Sequence, residues 1–191
     1  MTVSQRKSAH PIIALAALSM LLLTAAPSHA APATAVSAEA LLVDGVLVDG
    51  TYDVEATLTQ ISGPDTDGPD TVRGVLEVKV VRVGLWSGNR PFGVLDGTLT
   101  LDDGTVFTYK PDGRSLAFKG NGRSRFPAFG VNFQGGNSDT WFNFSNDSYP
   151  TTGARIEDGE LAAFRAQAGR RTVGPQGQIV WEVGELNAVR R

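Results

Sequence analysis

The sequence predicts a mainly all-β protein: a single antiparallel β-barrel or β-sandwich of about eight strands. Three observations carry this expectation. Asp-Gly recurs at 44–45, 49–50, 67–68, 96–97, 103–104, 112–113 and 158–159, with Asn121-Gly122 added. Such dipeptides accept the positive φ that tight hairpin turns demand. Between them lie runs of strand length rich in β-branched and aromatic residues. The chain has no Cys, so a hydrophobic core must hold the fold without disulfides. Barrel and sandwich give the same alternation, and both stay open at this stage.

The N-terminus reads as a secretory signal over residues 1–30. Arg6 and Lys7 form a positive start, Ile12 to Ala26 is a nearly unbroken apolar run, and Ser28-His29-Ala30 supplies a small-x-small cleavage site. The run is short of the roughly 20 residues that a membrane-spanning helix needs. The expectation is therefore a secreted chain, without a transmembrane anchor after cleavage at Ala31. Residues 31–45 read as a flexible Ala-rich leader, 46–185 as one β domain, and 186–191 as a frayed end.

The strands follow in order. Thr51 to Ile61 places Tyr52, Val54, Ala56 and Leu58 on one face and Asp53, Glu55, Thr57 and Thr59 on the other, the period of a half-buried strand. Ser62 to Asp70 is a loop. Thr71 to Val83 is a long Val-rich strand, buried on both faces or bent near Gly74. Val94–Leu101, Thr105–Lys110 and Ser115–Lys119 form a meander, Phe129–Gln134 and Thr140–Ser145 a pair, and Gln178–Val183 the last strand. Residues 158–168 (DGELAAFRAQA) are rich in helix formers and stop at Gly169, which points to one short helix. The same residues also alternate in the manner of a strand.

Composition restricts the chemistry. Both His (His10, His29) and both Met (Met1, Met20) fall within the expected signal. The remainder has no His or Cys, which excludes Ser-His-Asp and Cys-His catalysis, thiol redox chemistry and the usual zinc sites. It loses two of the 17 basic residues and none of the 20 acidic ones, so nothing favours nucleic acid. Thirteen of the basic residues are Arg and four are Lys. That bias and the Ala-rich signal point to a bacterial genome rich in G and C. Asn143-Phe144-Ser145 and Asn146-Asp147-Ser148 match the N-glycosylation acceptor, which would be silent there.

Three groups of residues are candidates for function. Aromatics concentrate between Phe126 and Tyr149. One set is expected to fill the core. Phe129, Phe133, Trp141, Asn143 and Tyr149 are the candidates for a ligand-binding face. Lys119, Arg123 and Arg125 form a basic loop suited to an anionic surface. Asp65, Asp67 and Asp70 have oxygen ligands spaced for calcium but lack the EF-hand loop. No cofactor and no catalytic residue are assigned.

Together these readings point to a secreted, disulfide-free binding protein for a small apolar ligand or a macromolecular surface. The alternatives are a small cyclase- or isomerase-type barrel enzyme using Tyr109 or Tyr149 with an inward Glu or Arg, or a structural envelope component.

Overall fold

A computed structural model of the chain describes residues 40–64, 68–86, 89–110, 115–119, 129–146 and 153–191. Every regular element among the described residues is a strand: β1 (Leu42–Val43), β2 (Val46–Leu47), β3 (Gly50–Ser62), β4 (Asp70–Trp86), β5 (Arg90–Leu101), β6 (Val106–Thr108), β7 (Leu116–Lys119), β8 (Phe129–Gly136), β9 (Trp141–Ser145), β10 (Ala154–Glu157), β11 (Glu160–Val173) and β12 (Ile179–Arg190).

Ten of these strands occupy eight antiparallel positions around one sheet: β3, β4, β5, β6 with β7, β8, β9 with β10, β11 and β12; β1 and β2 join it at Glu160 of β11, β2 in parallel. Two of the positions are broken strands. β6 pairs Thr98–Thr100 of β5 while β7 pairs Phe92–Val94 of the same edge. The expected three-strand meander is thus two strands, the second interrupted. Likewise β9 pairs Gln167–Arg171 of β11, and β10 pairs the preceding Glu160–Phe164. The β9–β11 ladder brings the sheet back on itself, so it closes in part as a barrel does.

Closure follows from the alternation in the sequence. Tyr52, Val54, Ala56 and Leu58 of β3, Leu76, Val78 and Val80 of β4, and Leu95 and Leu99 of β5 all point inward and are buried. The rings of Tyr52, Phe164, Phe144 and Phe133 form a chain of contacts at centroid distances of 5.4–5.8 Å. Phe107 meets Phe142 at 5.7 Å. Among the described residues the interior is packed by these rings together with Val, Leu and Ala side chains. Inward-facing glycines let strands close in. A Cβ on Gly184 would lie 1.8 Å from the Thr57 carbonyl oxygen, and one on Gly97 would lie 2.0 Å from that of Glu77. Only glycine tolerates such approach where a small barrel turns its corners.

Residues 160–168 are strand, with Asp158 and Gly159 forming the turn before them, and the expected helix is corrected. Asp158 and Gly159 have φ of 50° and 81° and turn β10 into β11. Arg155 pairs with Ala163 but Ile156 pairs with Leu161, so Ala162 is an extra residue in a bulge. The bulge brings Leu161 and Phe164 to the same inner face at a spacing that otherwise signals a helix.

Both chain boundaries also differ from expectation. Residues 42–47 form a hairpin through Asp44-Gly45, with φ of 53° and 78°. Its Val43 is buried against Gly93 and Val80 at the end of the barrel. The far terminus is ordered strand, not a frayed end. Arg190 donates to the carbonyls of Leu161 at 3.0 Å, Asp49 at 2.8 Å and Leu47 at 3.0 Å, and to the Tyr52 hydroxyl at 3.2 Å. Tyr52 in turn donates to the Val48 carbonyl at 2.6 Å.

Candidate functional site

The strongest candidate lies on the outer wall, where β8, β9, β11 and β12 run side by side. Each strand sends alternate residues outward, and register aligns them in rows. In one row Trp141, Arg171 and Trp181 are neighbours across β9, β11 and β12. The next row carries Gln134, Asn143, Gly169 and Val183, and the next Asn132, Ser145, Gln167 and Glu185.

Gly169 creates the depression. With no side chain there, the wall sinks between Trp141, Asn143 and Val183. A Cβ at that position would lie 2.8 Å from Asn143 Oδ1 and 3.5 Å from the Trp141 ring. The result is a trough of about 410 Å³ bounded by both tryptophans and by the carboxamides, within the usual size range of small-molecule sites. Trp141 and Trp181 meet edge to face, with centroids 5.7 Å apart and planes at 82°. Trp181 keeps 41% of its surface exposed.

The polar groups of the trough divide into fixed and free. Ser145 Oγ donates to Asn132 Oδ1 at 2.7 Å, which orients that amide. The side-chain amides of Gln134, Asn143 and Gln167 make no hydrogen bond with the described residues. Two charged side chains stand nearby. The Arg171 guanidinium lies in the row of the tryptophans and donates to the Ser138 carbonyl, while its buried Nε has no hydrogen-bond partner among the described residues. Glu185 pairs with Arg165 at 2.9 Å.

At the barrel mouth, Glu182 points inward and takes both arms of Arg170, at 2.6 and 2.7 Å. The same guanidinium reaches Asp70 at 2.8 Å. Burial opposes the Arg170 charge, but the hydrogen bonds and charges of Glu182 and then Asp70 outweigh it and hold its proton more firmly than usual. Beside this network a smaller cavity of about 240 Å³ is lined by Asp102 and Asp103. The backbone amide of Thr105, bonded to Asp103, lowers that carboxyl's pKa below its ordinary value.

The sequence candidates fall in different places. Phe129 and Phe133 are buried in the core, whereas Trp141 and Asn143 stand together in the trough. Tyr149, Arg123, Arg125, Asp65 and Asp67 lie outside the described residues. Lys119 is engaged by Asp44 at 2.6 Å. Asp70 is occupied by the Arg170 cation, which competes with a metal for the same oxygen. Among the described residues no cluster of acidic groups is arranged to hold a metal ion. Tyr109 lines a separate outer groove of about 520 Å³ with Glu77, Lys79 and Asp96, away from the inward Glu182 and Arg170. Asn146 is buried, its Oδ1 accepting from the Val131 amide at 2.7 Å, so the folded chain hides that sequon.

Sequence reasoning did not single out Trp181, Gln167, Gly169 or Gln134. Period-two alternation marks each as outward, but only the β9–β11 register brings them beside Trp141. No protein-family model, no curated protein and no solved structure matches this chain.

Proposed function

We propose that this chain is a secreted, non-catalytic binding protein that uses the outer trough between β8 and β12 to hold an extracellular macromolecular surface. One observation carries the reading: aliphatic and aromatic side chains pack the barrel interior, while the outer wall carries two tryptophans and three carboxamides that make no hydrogen bond with the described residues, around a glycine floor. The filled interior argues against the small apolar ligand that an open barrel would enclose. The trough offers stacking and hydrogen bonding. Its one acidic lining residue, Glu182, is already paired with Arg170, which argues against general acid–base chemistry there.

Retention on the envelope fraction of the producing cell tests this reading. Wild-type protein is expected to be retained, and Gly169→Leu, which fills the trough, to pass through. Equal behaviour of the two proteins, whether retained or not, would refute it.

A further inference from the structure

The trough has a chemical character narrow enough to name a ligand class. This step rests on the trough being the binding site. We propose that it takes an uncharged carbohydrate chain, with one sugar ring stacked on Trp181 and its hydroxyls bonded by Gln134, Asn143 and Gln167.

Each carboxamide offers a donor pair and an acceptor a short distance apart. Neighbouring hydroxyls on a sugar ring, each both donor and acceptor, are their natural complement. The flat C–H face of a pyranose is apolar and fits an exposed indole, and Trp181 presents one at the rim of the trough. An anionic ligand would need a cation in the trough, yet no Lys or Arg is among the described residues that line it, and the neighbouring Arg170 is locked by Glu182 and Asp70. A cationic ligand would need a free carboxylate, and Glu182 and Glu185 are both paired. An extended peptide binds sheets by adding to an unpaired edge. Here β11 is paired with β9 and β12, β9 also with β8 and β12 also with β3, so these strands have spent their backbone groups and only side chains face outward. A purely apolar ligand would strip water from three amides and return nothing to them.

The test is a tryptophan-fluorescence titration of the purified protein. The probes are neutral tetrasaccharides of glucose, mannose, galactose and N-acetylglucosamine, beside an oligogalacturonate and a neutral tetrapeptide. At least one neutral sugar series is expected to shift the emission. Its affinity should change little between low salt and about 0.5 M NaCl, because no charges meet. Trp181→Ala should weaken binding about ten-fold or more, and Gly169→Leu should abolish it. Trp86→Ala, on the opposite stretch of wall, should leave it unchanged. Trp181 is exposed, so its variant is expected to keep the wild-type melting curve. Binding by none of the neutral sugars, a steep loss with salt, or indifference to both trough variants would overturn the proposal. The envelope assay separates the two levels. If Gly169→Leu loses retention while no neutral sugar binds or competes, the trough stands and the sugar falls. If retention ignores Gly169→Leu, both fall.

Discussion

Arg190 and Arg191 are chemically identical neighbours, yet their removal should have very different consequences. Arg190 is largely buried, with 17% of its side chain exposed. Its fork joins three separate parts of the fold: the Leu47–Asp49 link after the hairpin, β11 at Leu161 and β3 at Tyr52. The guanidinium also lies 5.2 Å from the Tyr52 ring centroid. Hydrogen bonds to a charged group contribute about 1.5–3 kcal/mol each, and they do not add. Arg190→Ala leaves three carbonyls at the end of the barrel without this donor, though water can reach some of them. A total loss of about 3–5 kcal/mol follows. Arg191 instead pairs with Asp53 at 2.8 Å, with the two side chains 53% and 64% exposed. Such a pair is worth about 0.2–1 kcal/mol.

Thermal unfolding of purified single variants checks the contrast. For a chain of this size about 1 kcal/mol moves Tm by roughly 2–4 °C. Arg190→Ala should therefore melt on the order of 10 °C below wild type, and Arg191→Ala within about 3 °C of it. Arg190→Lys should fall between them, because an ammonium cannot span the carbonyls as a planar fork does. If Arg190→Ala and Arg191→Ala melt together, the Arg190 network contributes nothing and the reasoning fails.

Other outcomes follow from the same geometry. Burial pushes the Tyr52 hydroxyl up to about 12, from an ordinary 10. The folded state thus holds this proton more tightly than the unfolded chain. Below pH 10 the neutral phenol carries no penalty, and stability falls by about 2–3 kcal/mol as pH rises from 10 through 12, because the buried hydroxyl resists the ionisation that the unfolded chain allows. Tyr52→Phe should cost about 1 kcal/mol near neutrality and flatten that alkaline decline in urea titrations, whereas parallel pH profiles would contradict it. At the mouth, Arg170→Met should destabilise by about 3–5 kcal/mol, because Glu182 is left buried and alone. Glu182→Leu should cost less, since Arg170 keeps Asp70; a double-mutant cycle giving no coupling would refute the pairing. Finally, the proposed export predicts a protein beginning at Ala31 by N-terminal sequencing of culture medium, and an intact Met1 start there would refute the cleavage.

Residues 158–168 show where local pattern stops being informative. Strand content was legible because period-two burial is written into single segments such as Thr51 to Leu58, and every turn with Asp44, Asp158 or their glycines carried its own chemistry. The bulge at Ala162 was not legible, because an extra residue matters only relative to the partner β10. It changes the spacing of inward residues from two to three, and three is also a helical spacing. The same limit governed the site. Trp141 and Asn143 share one short strand, so alternation alone placed them on one face. Trp181, Gln167 and Gly169 join them only through ladders between β9, β11 and β12, whose Trp141–Arg171 pair is separated by 30 positions in sequence. A glycine in a strand is locally a weak point. It becomes the floor of a trough only when the neighbouring strand supplies Trp141 and Asn143 as walls. Arg190 follows the same rule: it sits one residue from the end of the chain, where fraying is the local expectation, and is held by carbonyls 29 to 143 positions away.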